Sequence, residues 1–255
     1  MIDYQGLPSV ALESADGGRA IVTLHGAHVV SWACGGREQL FMSERSAFSA
    51  GQPIRGGIPV VFPQFSSRGP LPHHGLVRTR AWRLTTHDGA RAVFALEHSE
   101  ETRRLWPHAF ALELAVTIGG ARLDVEFRVH NTGDAPFSFT AALHTYLHVS
   151  DATKVRLEGL PGVHNLENGL DRVYADSPRE TRLIDGSRVV TITQREFRDT
   201  VVWNPGREGS ATKTDLAPLA FMSMLCVEAA TVESPIKVPA GGRWLGGQSL
   251  AVAPG

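Results

Sequence analysis

Residues 122–149 read RLDVEFRVHNTGDAPFSFTAALHTYLHV. Leu123, Val125, Phe127 and Val129 alternate with Asp124, Glu126, Arg128 and His130. Successive side chains of a strand point to opposite faces, so a period of two marks a strand with one buried face. The turn formers NTGD follow. Alternation then resumes, with Phe137, Phe139, Ala141 and Leu143 set against Ser138, Thr140, Ala142 and His144. The pattern predicts a long antiparallel hairpin.

The rest of the chain has the same character. Strand-like runs occur at residues 20–34, 90–98, 109–118, 154–160, 188–194, 199–204 and 221–230, and 26 glycines and 15 prolines are spread along the sequence. One helix is expected at SEETRRLW, residues 99–106, where Ser99 can cap, Glu100 and Glu101 fill the first turn and Pro107 follows. Strands at roughly ten-residue spacing with turn residues between them point to an all-β sandwich or barrel. No repeat, low-complexity segment or linker divides the 255 residues, so a single domain over 1–255 is expected.

Composition narrows the function. The formal net charge is −1 from 25 basic and 26 acidic residues, which gives no protein-wide field to attract nucleic acid or an anionic membrane. Cys34 and Cys226 are far apart in apolar runs, the pattern of reduced, buried thiols. The first residues, MIDYQGLPSV, lack the basic and apolar regions of a signal peptide. No apolar run reaches the roughly 20 residues of a membrane helix. The expectation is a soluble, cytoplasmic protein, a monomer or weak homodimer, that meets neither nucleic acid nor membrane.

Four stretches carry chemistry. In PIRGGIPVVFPQF, residues 53–65, Arg55 precedes two glycines in a segment stiffened by Pro59 and Pro63. The glycines would let a ligand approach the backbone closely, and the guanidinium would present forked donors. LPHHGLVRTRAW contains His73, His74 and Arg78; on an extended chain the two histidines would point in opposite directions. ALHTYLHV contains His144, Tyr146 and His148. His144 falls on the strand face away from the core, which carries small groups, an aromatic and imidazoles instead of charges. That composition fits a cleft wall. Glu228 is the one charged residue between Met222 and Ala230. Burial there would raise its pKa towards the range of a general base. Each has a structural alternative: Arg55 in a surface ion pair, Glu228 paired with a buried arginine, His144 capped by a neighbour. A metal site is not expected, because four strand residues separate His144 from His148 by about 13 Å and no ligand motif is present.

The stretches IRGGIPVVFPQF, LPHHGLVRTRAW, SEETRRLWPHAFALEL, ALHTYLHV, GLDRVYADS, VVWNPG and MLCVEAA, in this order, resemble those of the hexose-6-phosphate mutarotases, or glucose-6-phosphate 1-epimerases, of the aldose 1-epimerase superfamily. The resemblance implies one galactose-mutarotase-like domain, a β-supersandwich of large antiparallel sheets. It implies interconversion of the α and β anomers of a hexose 6-phosphate without a cofactor. His144 matches the catalytic acid and Glu228 the catalytic base, expected on opposite sides of the reacting carbon. Arg55 and Arg78 match arginines that hold the phosphate. His74 matches a histidine beside the sugar ring, Asp171 matches an aspartate that binds sugar hydroxyls, and His73 stands where close relatives have a substrate-contacting glutamine. The segment between His148 and Asp171 is shorter than the family pattern. A mutarotase of unphosphorylated aldoses and a non-catalytic carbohydrate-binding module on the same fold are the alternatives.

Overall fold

The computed structural model describes residues 1–163 and 165–253. Its strands form three sheets. The first is an N-terminal meander of five strands from Ile2–Tyr4 to Arg37–Glu38. The second has eight strands in the order Arg156–Glu158, Glu180–Asp185, Arg188–Arg195, Arg243–Val252, Arg122–Asn131, Phe110–Gly119, Arg91–Glu97 and Arg83–His87. The third runs Leu170–Tyr174, Asp199–Asn204, Met224–Val238, Phe137–Leu143 and Val60–Val61, with Tyr146–His148 also paired to Met224–Val238. The ladders are antiparallel, and the described residues hold two short α-helices, Glu100–Leu105 and Gly206–Thr212. The all-β expectation holds.

The hairpin expectation does not. Arg122–Asn131 and Phe137–Leu143 are strands with the anticipated buried faces, but they do not pair. The first lies between Phe110–Gly119 and Arg243–Val252. The second lies between Met224–Val238 and Val60–Val61 in the other large sheet. Alternation fixes which face a strand buries and leaves its neighbour open. Here the two apolar rows face each other across the core. Phe127 and Phe139 both pack on Phe62, with centroids 5.9 and 5.2 Å away, and both meet Trp244. The crossing is clamped by buried Asn131, whose amide donates to the carbonyls of Ala135, Val238 and Pro239 and whose oxygen accepts from the Gly133 N–H. Phe62 is fully buried at the centre of this aromatic cluster. Truncating such a phenylalanine typically costs about 3–5 kcal/mol.

Other boundaries moved. Residues 20–34 form two strands, Arg19–Thr23 and His28–Cys34. The run beginning at Phe221 opens with a 3₁₀ turn, Ala220–Ser223, before the strand starts at Met224. Ser99 caps its helix as expected, with Thr102 returning the bond to the cap's N–H. Helix Gly206–Thr212 has no apolar periodicity and was not legible. Both cysteines are buried and free. No described helix is long and apolar enough to cross a membrane.

The segment 53–65 lies alongside residues 140–146. The N–H groups of Thr140, His144 and Tyr146 donate to the carbonyls of Pro63, Pro59 and Gly57 at 3.0, 3.0 and 2.9 Å. Its two glycines serve the protein's own backbone, which corrects the expectation that they admit a ligand. A Cβ at Gly56 (φ +116°) would stand 2.4 Å from the Phe41 carbonyl oxygen; one at Gly57 (φ +61°) would stand 2.2 Å from that of Val29. Glycine removes both clashes and the strain of positive φ.

Candidate active site

Strand periodicity builds the site. Along Met224–Val238, Leu225, Val227 and Ala229 enter the core between the large sheets. Cys226, Glu228 and Ala230 therefore face the other way. Register places Val201 opposite Glu228, Trp203 opposite Cys226, and Asp171 opposite Trp203. Tyr146 also pairs with Cys226. The face of the third sheet turned away from the main core thus gathers side chains from four chain segments. Between His144 and Tyr146, Thr145 points inward, where its hydroxyl is held by buried Gln248, which also donates to the Val227 carbonyl.

On this face one cavity is lined by Arg55, Phe65, Ser66, His73, His74, His144, Asp171, Val201, Trp203, Lys213 and Glu228. Six of the seven anticipated site residues share it. Arg78 stands behind, donating to the His73 carbonyl at 3.0 Å. A larger cleft lined by Tyr4, Glu38, Phe41 and His148 contains none of the seven. Size favours that cleft, but the titratable pair lies in the smaller one, and chemistry decides between them. His148 thus serves a different surface from His144.

His144 Nδ1 is 3.4 Å from Glu228 Oε1, and the side chains are 8% and 1% exposed. His144 Nδ1 and Glu228 Oε2 have no hydrogen-bond partner among the described residues. No arginine or lysine pairs with Glu228 there, so the buried ion-pair alternative fails. Burial, reinforced by the charge of Asp171, pushes the Glu228 carboxyl well above the usual range. Burial, with His74, Arg55 and Arg78 nearby, holds His144 well below its usual value. The two groups are in contact, where opposite sides of the reacting carbon were expected. Neighbouring groups suit a hemiacetal, whose two oxygens share one carbon.

His73 and His74 do not alternate as they would on an extended chain. His74 has φ +64° and Gly75 φ +79°, and this left-handed turn brings the two rings to 4.1 Å between centroids. The His74 ring lies 5.3 Å from that of His144. Its Nδ1 accepts the Ser66 N–H at 3.2 Å. Burial, followed by Arg78, His73 and Arg55, lowers its pKa to about 2. The ring is therefore neutral, with the hydrogen on Nε2.

Arg55 lines the same cavity. Nε and Nη2 each reach Asp215 Oδ2 at 2.9 Å, and Nη1 donates to the Tyr146 hydroxyl at 2.9 Å. Burial opposes the guanidinium charge, but Tyr146 and Asp215 outweigh it and hold Arg55 firmly protonated. Its Cζ lies 5.8 Å from the Trp203 ring centroid, and Lys213 Nζ lies 6.0 Å from the same centroid. Trp203 sits in the VVWNPG stretch, whereas Lys213 and Asp215 carried no sequence signal.

Comparison with known proteins bears on this geometry. Residues 8–169 match the family model described as aldose 1-epimerase. The chain belongs to the aldose 1-epimerase family. It is 34% identical to a protein of Cenchrus ciliaris named "Putative glucose-6-phosphate 1-epimerase", over 98% of this chain and 86% of that one. A crystal structure of a "putative mutarotase" from Salmonella typhimurium superposes with a TM-score of 0.87 at 27% identity, covering 96% of this chain and 90% of that one. A "galactose mutarotase related enzyme" from Lactobacillus acidophilus has a TM-score of 0.76 at 15% identity over 96% and 97% of the two chains, a likeness of fold alone. The fold is the galactose-mutarotase-like sandwich of this epimerase family.

Proposed function

We propose that the chain interconverts the α and β anomers of a hexose 6-phosphate, glucose 6-phosphate first among them, by acid–base ring opening and reclosure. Supporting the reading are family membership and the name of the Cenchrus ciliaris relative. The observation that carries it is the buried contact between His144 and Glu228 in a cavity that Arg55 also lines.

In the proposed reaction Glu228 removes the proton of the C1 hydroxyl while His144 protonates the ring oxygen. The C1–O5 bond breaks, leaving an aldehyde. Rotation about C1–C2 presents the other face, and reclosure returns both protons with the roles reversed. No electrons are gained or lost, and no cofactor takes part. Burial favours the neutral pair, carboxyl beside imidazole, over charged forms. The working form, carboxylate beside imidazolium, has the same proton count. A dianionic phosphate offsets the charge of Arg55 and Arg78, which help to hold His144 low, and so favours the imidazolium. General acid–base catalysis of this kind contributes roughly 10²–10⁴-fold per group.

In this reading Arg55 and Arg78 serve the phosphate, Arg55 from the cavity wall and Arg78 from behind His73. His73, His74 and Asp171 serve the sugar. The whole chain acts as one domain, in the cytoplasm, on a small-molecule sugar phosphate.

The test is two-dimensional NMR exchange between the anomers of glucose 6-phosphate, with and without protein. Exchange well above the buffer rate is expected. Exchange at the buffer rate, with binding still measurable, would leave a carbohydrate-binding module instead.

A further inference from the structure

The two cations that line the cavity, Arg55 and Lys213, are not equivalent. Arg55 is committed: three of its donor contacts go to Asp215 and Tyr146. Its charge and that of Asp215 cancel to first order. Lys213 follows helix Gly206–Thr212 and has no carboxylate partner among the described residues, and its ammonium group faces the same indole as Arg55. Lys213 is therefore the one cation of the lining without an ion-pair partner among the described residues. Arg78 adds a cation behind His73, outside the lining.

We infer that Lys213 binds the phosphate of the substrate directly and sets the preference for phosphorylated over free hexose. The inference rests on the hexose-phosphate reading above. An ammonium group on a flexible stem is a compact charge with three donors. It can follow a phosphate carried on the rotatable C5–C6 bond. Arg55, fixed by Asp215 and Tyr146, cannot move in this way and supplies a rigid surface on the other side. Trp203 holds the two cations at similar distances from its ring, 5.8 Å for Arg55 Cζ and 6.0 Å for Lys213 Nζ. A lone lysine is often only a solvated surface charge. This one is partly buried, lines the cavity of the catalytic pair and makes no salt bridge among the described residues.

The test uses Lys213→Met, which keeps the apolar stem over Trp203 and removes the charge, and Lys213→Arg, which keeps the charge. Dissociation constants for glucose 6-phosphate and glucose are measured by NMR titration on wild type and both variants. Lys213→Met is expected to weaken glucose 6-phosphate roughly 10–100-fold more than glucose, the loss of one charge-assisted contact. Lys213→Arg should recover most of that preference. An unchanged preference in Lys213→Met, or equal loss for both sugars, overturns the assignment of Lys213 and leaves the hexose-phosphate reading standing. A wild-type protein with no preference for glucose 6-phosphate over glucose overturns both.

Discussion

The phenol ring of Tyr146 lies flat against the imidazole of His144, with centroids 4.7 Å apart and planes inclined by 7°. The Tyr146 hydroxyl accepts a hydrogen bond from Arg55 Nη1 at 2.9 Å. One buried side chain thus touches two residues of the cavity lining. Its stacked face fixes the imidazole that neighbours Glu228, and its hydroxyl fixes the Arg55 guanidinium.

Tyr146→Phe separates these two roles. The stack on His144 survives, while Arg55 loses one acceptor. A hydrogen bond to a charged group is worth about 1.5–3 kcal/mol, so kcat/KM for glucose 6-phosphate is expected to fall roughly tenfold or more, with Asp215 still holding Arg55. Steady-state exchange rates in the variant test this. Unchanged kinetics would mean that Asp215 alone positions the guanidinium.

The titration of the buried pair predicts a pH signature in stability. Glu228 has its folded pKa raised by burial, then by Asp171. Above the unfolded value of about 4.3, the folded state holds a proton that the unfolded state has released. Glu228 therefore lowers stability progressively as pH rises from that value towards its folded pKa. His144 has its folded pKa lowered, chiefly by burial, so its contribution is lost as pH falls below about 6.5. Glu228→Gln removes the first penalty. Urea denaturation at pH 5 and pH 8 should show the variant gaining on wild type as pH rises. A difference that does not depend on pH would contradict the burial argument.

Gly56→Ala tests the role of the glycine pair after Arg55. At φ +116° a Cβ would stand 2.4 Å from the Phe41 carbonyl oxygen. Strain and clash together are expected to cost about 3 kcal/mol or more, read from the urea midpoint. A change within about 0.5 kcal/mol, the range of neutral surface substitutions, would show that the backbone gives way there.

What the sequence revealed followed local physics. Period two identified Arg122–Asn131 and Phe137–Leu143 and their buried faces, and the charge isolated in an apolar run singled out Glu228. Pairing was not legible, because an apolar row is satisfied equally by a hairpin neighbour and by a facing sheet. Phe127 and Phe139 took the second course. The left-handed turn at His74 and Gly75 overrode the extended reading of HHG. Asp215 lies 160 residues from the arginine it holds, in a segment without hydrophobic periodicity, so no local pattern pointed to it. Lys213 was hidden for the same reason.

The account depends most on Glu228 as the group that takes the C1 proton, and anomer exchange of glucose 6-phosphate by Glu228→Gln measures this directly. Glutamine keeps the shape beside His144 and cannot accept the proton. NMR exchange spectra are expected to show acceleration in wild type and a rate in the folded variant reduced by roughly 10²–10⁴-fold. A Glu228→Gln protein that exchanges the anomers as fast as wild type would contradict the mechanism.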